Sequence, residues 1–147
     1  MNIEYKIGVG SQNEIYIHLL DCDKFFIPKL SEKVNISEYS EKIFNKAINF
    51  EAWDNERLIG LVSMYINEED TSFGYITNVS IINEYKNRGI ASNLLKKCIK
   101  YSKDINLNWI SLKVDTKNVS AVNLYNKFNF MEEKHKNSSS FLKLKLI

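Results

Sequence analysis

Ile76-Thr77-Asn78-Val79-Ser80-Ile81 and, after a short polar link, Lys86-Asn87-Arg88-Gly89-Ile90-Ala91-Ser92 decide how this chain is read. The first run is rich in Ile, Val and Thr and predicts a strand. The stretch after Ala91, from Asn93 to Lys103, predicts a helix with its apolar face at Ile90, Leu94, Leu95, Cys98 and Ile99. A loop of small residues between them turns backbone N–H groups toward the helix start. Unpaired N–H groups and the positive end of the helix dipole make such a terminus a ready anion site. A strand, a glycine loop and a helix in this order point to a phosphate-bearing ligand.

Upstream, residues 2–8 alternate and predict a first strand. Ser11 and Glu14 form a capping box that opens a helix running to about Lys24. The single proline, Pro28, interrupts regular structure, and Ser37 is read as opening a second helix through Tyr39, Ile43, Phe44 and Ala47. Phe50 to Trp53 and Arg57 to Ile66 predict two strands turning at Asp54-Asn55, and Phe73 to Ile82 a third after a polar turn at Asn67 to Ser72. Downstream come a strand over Trp109–Val114, a helix over Val119–Phe128 and a closing hairpin of Phe130–His135 and Ser140–Leu146. The order predicts one α/β (α+β) domain over residues 1–147. Its mixed, mostly antiparallel sheet has about seven strands, with four helices on its faces.

Composition fits a soluble globular domain: 44% hydrophobic and 26% charged residues in 147. No apolar run reaches the roughly 18 residues of a membrane span. The N-terminus lacks the basic and apolar regions of a signal peptide, so the expected location is cytoplasmic, with no membrane partner. Cys22 and Cys98 have no metal or disulfide spacing, and no metal is expected; Cys98 reads as a buried small hydrophobe. His18 reads as helix surface, and neither it nor His135 has metal-spaced partners. The net charge of +2 hides an asymmetry, −6 over residues 1–83 and +8 over 84–147. The basic residues are scattered without interleaved aromatics, which argues against nucleic acid. The acidic first half favours a cationic amine as partner.

Lys86-Asn87-Arg88-Gly89-Ile90-Ala91 resembles the pyrophosphate loop, Q/R-x-x-G-x-G/A, of the GNAT acetyl-CoA-dependent N-acetyltransferases. A strand precedes it, and Asn118, Ala121 and Tyr125 follow the next strand in that family's pattern, ahead of Phe128-Asn129-Phe130. Asn129 stands where Gly is customary, and Asn tolerates the left-handed conformation required there. Lys86 stands where Gln or Arg is usual; it keeps the charge and loses the fork of donors. The general-base Glu of some relatives is replaced by Tyr75, and that of others by Lys113 within Leu112-Lys113-Val114.

The resemblance implies direct attack of an amine on the thioester of acetyl-CoA. It implies that Val79 and Ile81 flank the pantetheine, and that an N–H near Val79 polarises the carbonyl. Lys86, Asn87, Arg88, Gly89, Ile90, Ala91 and Ser92 hold the pyrophosphate, Asn118 helps to bind the cosubstrate, and Tyr125 is the general acid. Tyr125 also reads as a core tyrosine, and Asn118 as the cap of its own helix. Glu51, Tyr65, Tyr75, Asp115 or ordered water remain as proton acceptors. The apolar Phe25–Ser31 loop either lines the acceptor site or seals the core. The acceptor is a small-molecule or peptide amine, a homodimer is open, and longer acyl chains are an alternative donor. A CoA-binding module without catalysis is the competing function.

Overall fold

Alternation along the strands and helical periodicity between them produce two layers of packing on one sheet. The computed structural model describes residues 2–67 and 72–147; residues 68–71, the centre of the expected Asn67–Ser72 turn, lie outside the described residues. The order is β1 (Ile3–Ile7), α1 (Gln12–Cys22), α2 (Ile36–Lys46), β2 (Ile48–Asp54), β3 (Arg57–Ile66), β4 (Phe73–Ile81), α3 (Ile90–Asp104), β5 (Trp109–Asp115), α4 (Val119–Lys127), β6 (Met131–Lys136) and β7 (Ser139–Lys145). The seven strands lie in the order β1-β2-β3-β4-β5-β7-β6. Only β4 and β5 run parallel. The expected mixed sheet with four helices is therefore the fold.

One core lies on the α3/α4 face, where Ile90, Leu94, Leu95 and Cys98 of α3 meet Phe50, Val62, Met64 and Ile76 of the sheet. The second lies under α1 and α2, where Ile15, Leu19 and Ile43 meet Trp53, Leu58 and Leu61. Each fully buried aliphatic side chain contributes about 2 kcal/mol of transfer free energy. Both cysteines are free and buried, and burial pushes each thiol up to about 12. They pack as small apolar groups.

Three local expectations shift. Asn35, not Ser37, caps α2, because its Oδ1 accepts the Glu38 N–H at 3.0 Å. The β2–β3 turn sits at Asn55-Glu56, with Asp54 still paired to Arg57 and Asn55 at φ 54°. Helix α3 begins at Ile90 rather than Asn93, because Gly89 at φ 77° completes the turn into it. Asn129 takes φ 68°, the left-handed conformation expected where the family has Gly.

His18 is not surface. The buried face of α1 is Ile15, His18, Leu19 and Cys22, while Ile17 and Leu20 point outward. His18 Nδ1 lies 2.9 Å from the Leu58 carbonyl, which can only accept, so Nδ1 carries the proton. Nε2 then accepts from the Ser80 hydroxyl at 2.8 Å, and Ser80 Oγ accepts from Asn78 Nδ2 at 3.0 Å. Burial pushes the His18 pKa down to about 4, against weaker upward pulls led by the Leu58 hydrogen bond.

Candidate active site

Strands β4 and β5 pair from Phe73–Trp109 to Ile76–Leu112 and then part, although β4 continues to Ile81 and β5 to Asp115. The parting coincides with a bulge. Ser63 faces Asn78 and Met64 faces Ile76, so Thr77 is the extra residue on β4. A bulge exchanges the faces of the residues beyond it. Ile76 lies in the α3-side core, and beyond the bulge Val79 and Ile81 pack toward that core, while Ser80 meets His18 of α1. Among the described residues the outer edge of Thr77–Ile81 thus has no strand partner.

At the mouth of this gap the loop folds tightly. Lys86 is extended, Asn87 takes φ 64° and Gly89 φ 77°, and α3 begins with buried Ile90. A side chain at Gly89 would meet open space, so the backbone conformation, rather than crowding, calls for glycine. The N–H groups of Ile90, Ala91 and Ser92 belong to the first turn of α3, where the helix itself supplies no acceptor, and they form a nest of donors with the dipole behind it. Lys86 Nζ lies 4.9 Å over the Phe25 ring, tying the loop to the α1–α2 connection, and Arg88 lies 5.5 Å over Tyr85. Lys127 of α4 reaches to 3.4 Å from Ser92 Oγ. No local pattern signals that contact, which needs α4 folded beside α3.

Asn118 caps α4, accepting the Ala121 N–H at 3.2 Å. Tyr125 lies on the buried side of α4, 6% exposed, edge-on to Phe130 at 5.7 Å. Its hydroxyl makes no hydrogen bond among the described residues, and burial raises its pKa. The bland readings of both residues are therefore real, and they leave the Tyr125 hydroxyl uncommitted.

The candidate proton acceptors separate. Glu51 is fully buried: it accepts the Val9 N–H at 3.1 Å, the Gly10 N–H at 3.0 Å and the Trp53 indole N–H at 3.1 Å. That carboxylate anchors the turn into α1, whose positive end it faces. Asp115 accepts from the Lys117 N–H at 2.8 Å and steadies the turn into α4. Tyr65 and Tyr75 face each other across β3 and β4 on the α1/α2 side. Burial raises both pKa values. The Tyr65 hydroxyl is buried without a well-formed hydrogen bond, although Thr77 lies near enough to oppose its pKa rise. Tyr39 of α2, which sequence reading placed only as a helix residue, donates to the Thr77 carbonyl at 2.9 Å and meets the Thr77 hydroxyl at 2.8 Å. Three tyrosines thus surround the bulge. Of the two readings of the Phe25–Ser31 loop, the packing shows the sealing of the core. Phe26 joins the two cores, while Phe25 and Ile27 stay exposed beside a cis Ile27–Pro28 bond.

The model of the acetyltransferase (GNAT) family matches residues 14–130. N-alpha-acetyltransferase 30 of Schizosaccharomyces pombe is 28% identical over 116 residues, 74% of this chain and 77% of that protein. Human N-alpha-acetyltransferase 30 is 27% identical over 141 residues, 90% of this chain and only 39% of that protein. PaiA N-acetyltransferase from Thermoplasma acidophilum, solved with coenzyme A, shares the fold at TM-score 0.81 and 18% identity over 99% of both chains. A chain of the NatC complex bound to Gag peptide and CoA matches at TM-score 0.75 and 25% identity over the full length of both. Among the described residues no helix is long and apolar enough to cross a membrane. The glycine loop at an unpaired β4 edge, the strand order and the match over residues 14–130 agree: the chain belongs to the GNAT acetyltransferase family.

Proposed function

We propose that the chain transfers an acetyl group from acetyl-CoA to the α-amine of a peptide by direct attack within a ternary complex. The observation that carries this reading is the β4–β5 ladder that stops at Ile76 and Leu112 beside the nest at Gly89. An extended pantetheine, with amides of its own, suits an unpaired strand edge as a β-neighbour would. A diphosphate suits the loop and helix N–H groups from Arg88 to Ser92, with Lys127 and Lys86 as nearby cations. The names of the relatives, N-alpha-acetyltransferases, agree with this reading, as does a neighbour solved with both CoA and a peptide.

In this mechanism the amine lone pair attacks the carbonyl carbon while the Val79 N–H holds the developing oxyanion. The C–S bond then breaks. The sulfur leaves as thiolate and gains a proton as the amine loses one, so the transfer is proton-neutral. An ordinary thiol titrates near 8.5, below tyrosine, and burial widens that gap for Tyr125. Tyr125 therefore serves by hydrogen-bonding the departing sulfur rather than by surrendering its proton outright. A peptide α-amine titrates near 8, against about 10.4 for lysine, so it needs only a weak acceptor. Water ordered by Tyr75 supplies that acceptor, and no carboxylate base is needed.

Tyr125→Phe is expected to lower kcat about a hundredfold with an unchanged Kd for acetyl-CoA; equal turnover removes Tyr125 from the reaction. The function itself is tested by calorimetry with acetyl-CoA and by mass spectrometry of peptides incubated with it. The expected result is saturable binding and one acetyl group on the N-terminal residue. Absence of acetyl-CoA binding overturns the proposal. Binding without product in a broad amine screen reduces the chain to a CoA-binding module.

A further inference from the structure

Helices α1 and α2 lie over β2, β3 and β4 and stop short of β5, β7 and β6. On the same side of the sheet the second half is left without a covering helix, and its rows follow from register. Tyr75 stands beside Ser111, and Ser111 beside Lys143. The next row on this face is Lys113, Phe141 and Lys134. The row on the other flank starts with Phe73 and Trp109, whose rings stack 5.1 Å apart at 2°. The buried partners of these strands, Ile110, Leu112 and Leu142, point to the opposite face.

The result is an aromatic floor studded with ammonium groups. Lys143 Nζ lies 4.0 Å over Trp109, while Lys113 and Lys134 lie 5.9 and 5.7 Å from the centre of Phe141. Lys33, from the α1–α2 connection, leans in from above: desolvation and the Lys113 charge lower its pKa, opposed by Asp115. Acidic groups are present, but they are spent. Glu133 pairs with Lys143 at 3.5 Å, and Asp115 holds the Lys117 N–H and the Ser138 hydroxyl. This surface is continuous with Tyr75 at the bulge, where the acceptor amine must approach. The charge asymmetry of the sequence points to a cationic amine, and the fold gathers Lys113, Lys134 and Lys143 of the basic half on this one face.

Resting on the peptide-amine reading above, we propose that the preferred acceptor is a peptide whose free N-terminal residue is followed by acidic side chains. The amine enters at Tyr75, and the aspartates or glutamates behind it lie across the Lys113–Lys134–Lys143 face. The same lysines favour the neutral form of the entering amine, because like charge disfavours its protonation. The aromatic floor packs the peptide's methylenes and holds the ammonium groups in place.

The test titrates the whole chain with three hexapeptides, acidic, amide-substituted and lysine-substituted at residues two to four, and reads Trp fluorescence and acetyl transfer in parallel. The acidic peptide is expected to bind about tenfold more tightly than its amide counterpart, from several exposed ion pairs acting together. That advantage is expected to vanish in about 0.5 M salt and in the Lys113→Glu/Lys134→Glu variant, whose fold is checked by its melting transition. Equal binding of the three peptides overturns the inference, as does a single-stranded oligonucleotide of equal charge that outcompetes the acidic peptide. Charge-selective binding without acetylation sinks the transferase reading and leaves the surface standing. Acetylation without charge preference does the reverse.

Discussion

Replacing Glu51 by alanine is expected to destabilise the fold by about 4 kcal/mol, a large share of the 5–15 kcal/mol typical of a domain. The carboxylate collects three N–H groups from two distant pieces of chain: Val9 and Gly10 before α1, and Trp53 two residues along β2. Val9 is exposed and its N–H finds water, but the Gly10 and Trp53 donors are buried and would be orphaned. Each buried donor left unmet costs roughly 1–3 kcal/mol, and the deleted side chain leaves a cavity as well. Glycine at position 10 belongs to the same device, since a β-carbon there would lie 3.2 Å from Glu51 Oε2. Glu51→Gln keeps the shape and one acceptor oxygen and should lose about half as much. Urea unfolding measures both, and an unshifted midpoint for the alanine variant would show that the carboxylate does not anchor the turn.

Acid is expected to weaken the protein through His18 as pH falls from about 6.5 toward 4. The imidazole titrates near 6.5 when unfolded and is pushed down to about 4 in the fold by burial. Between those values the unfolded chain binds a proton that the folded chain refuses, so stability rises with pH across this window. The contribution is complete above about 6.5, declines as pH falls toward 4 and is spent below it. Its full size is about 3 kcal/mol. Asp23 and Glu132, held below the usual carboxylate range by hydrogen bonds from Ser31 and Ser140 respectively, act at lower pH. Denaturant midpoints measured from pH 4 to 7 should climb steeply for the native chain and far less for His18→Gln. Equal slopes would mean that His18 does not govern the acid limb.

How much of this was legible follows from what each residue type announces. The Ser11–Glu14 capping box and the Asn118 cap are local, and both formed as read. The strand, loop and helix over residues 73–104 also formed, with the helix starting three residues earlier than expected, because alternation and helical period need only neighbours in sequence. His18 was misread although the period held the answer. It stands three residues after Ile15 and four before Cys22, on the face that sinks, and its polarity outweighed its position. Glu51 could not be read, since its two main-chain partners, Val9 and Gly10, lie 42 and 41 residues away in sequence. The Thr77 bulge was equally hidden, because it exists only in the register with β3. The lysines of the exposed face are scattered in the sequence and meet only through register. The rows of that face assemble only once β7 inserts between β5 and β6.

The parting of β4 and β5 has a consequence for the protein's stability. A sheet that closes its own ladder is as sound empty as full, whereas this one leaves a seam beyond Ile76 and Leu112, where the proposed mechanism seats the cosubstrate. A cosubstrate held at a hundred times its dissociation constant adds about 2.7 kcal/mol to the folded state. The amide protons of Val79 and Ile81, which alternation turns away from β3, should then exchange more slowly with acetyl-CoA present than without it. On that reading the folded protein is stabilised in step with the logarithm of the cosubstrate concentration.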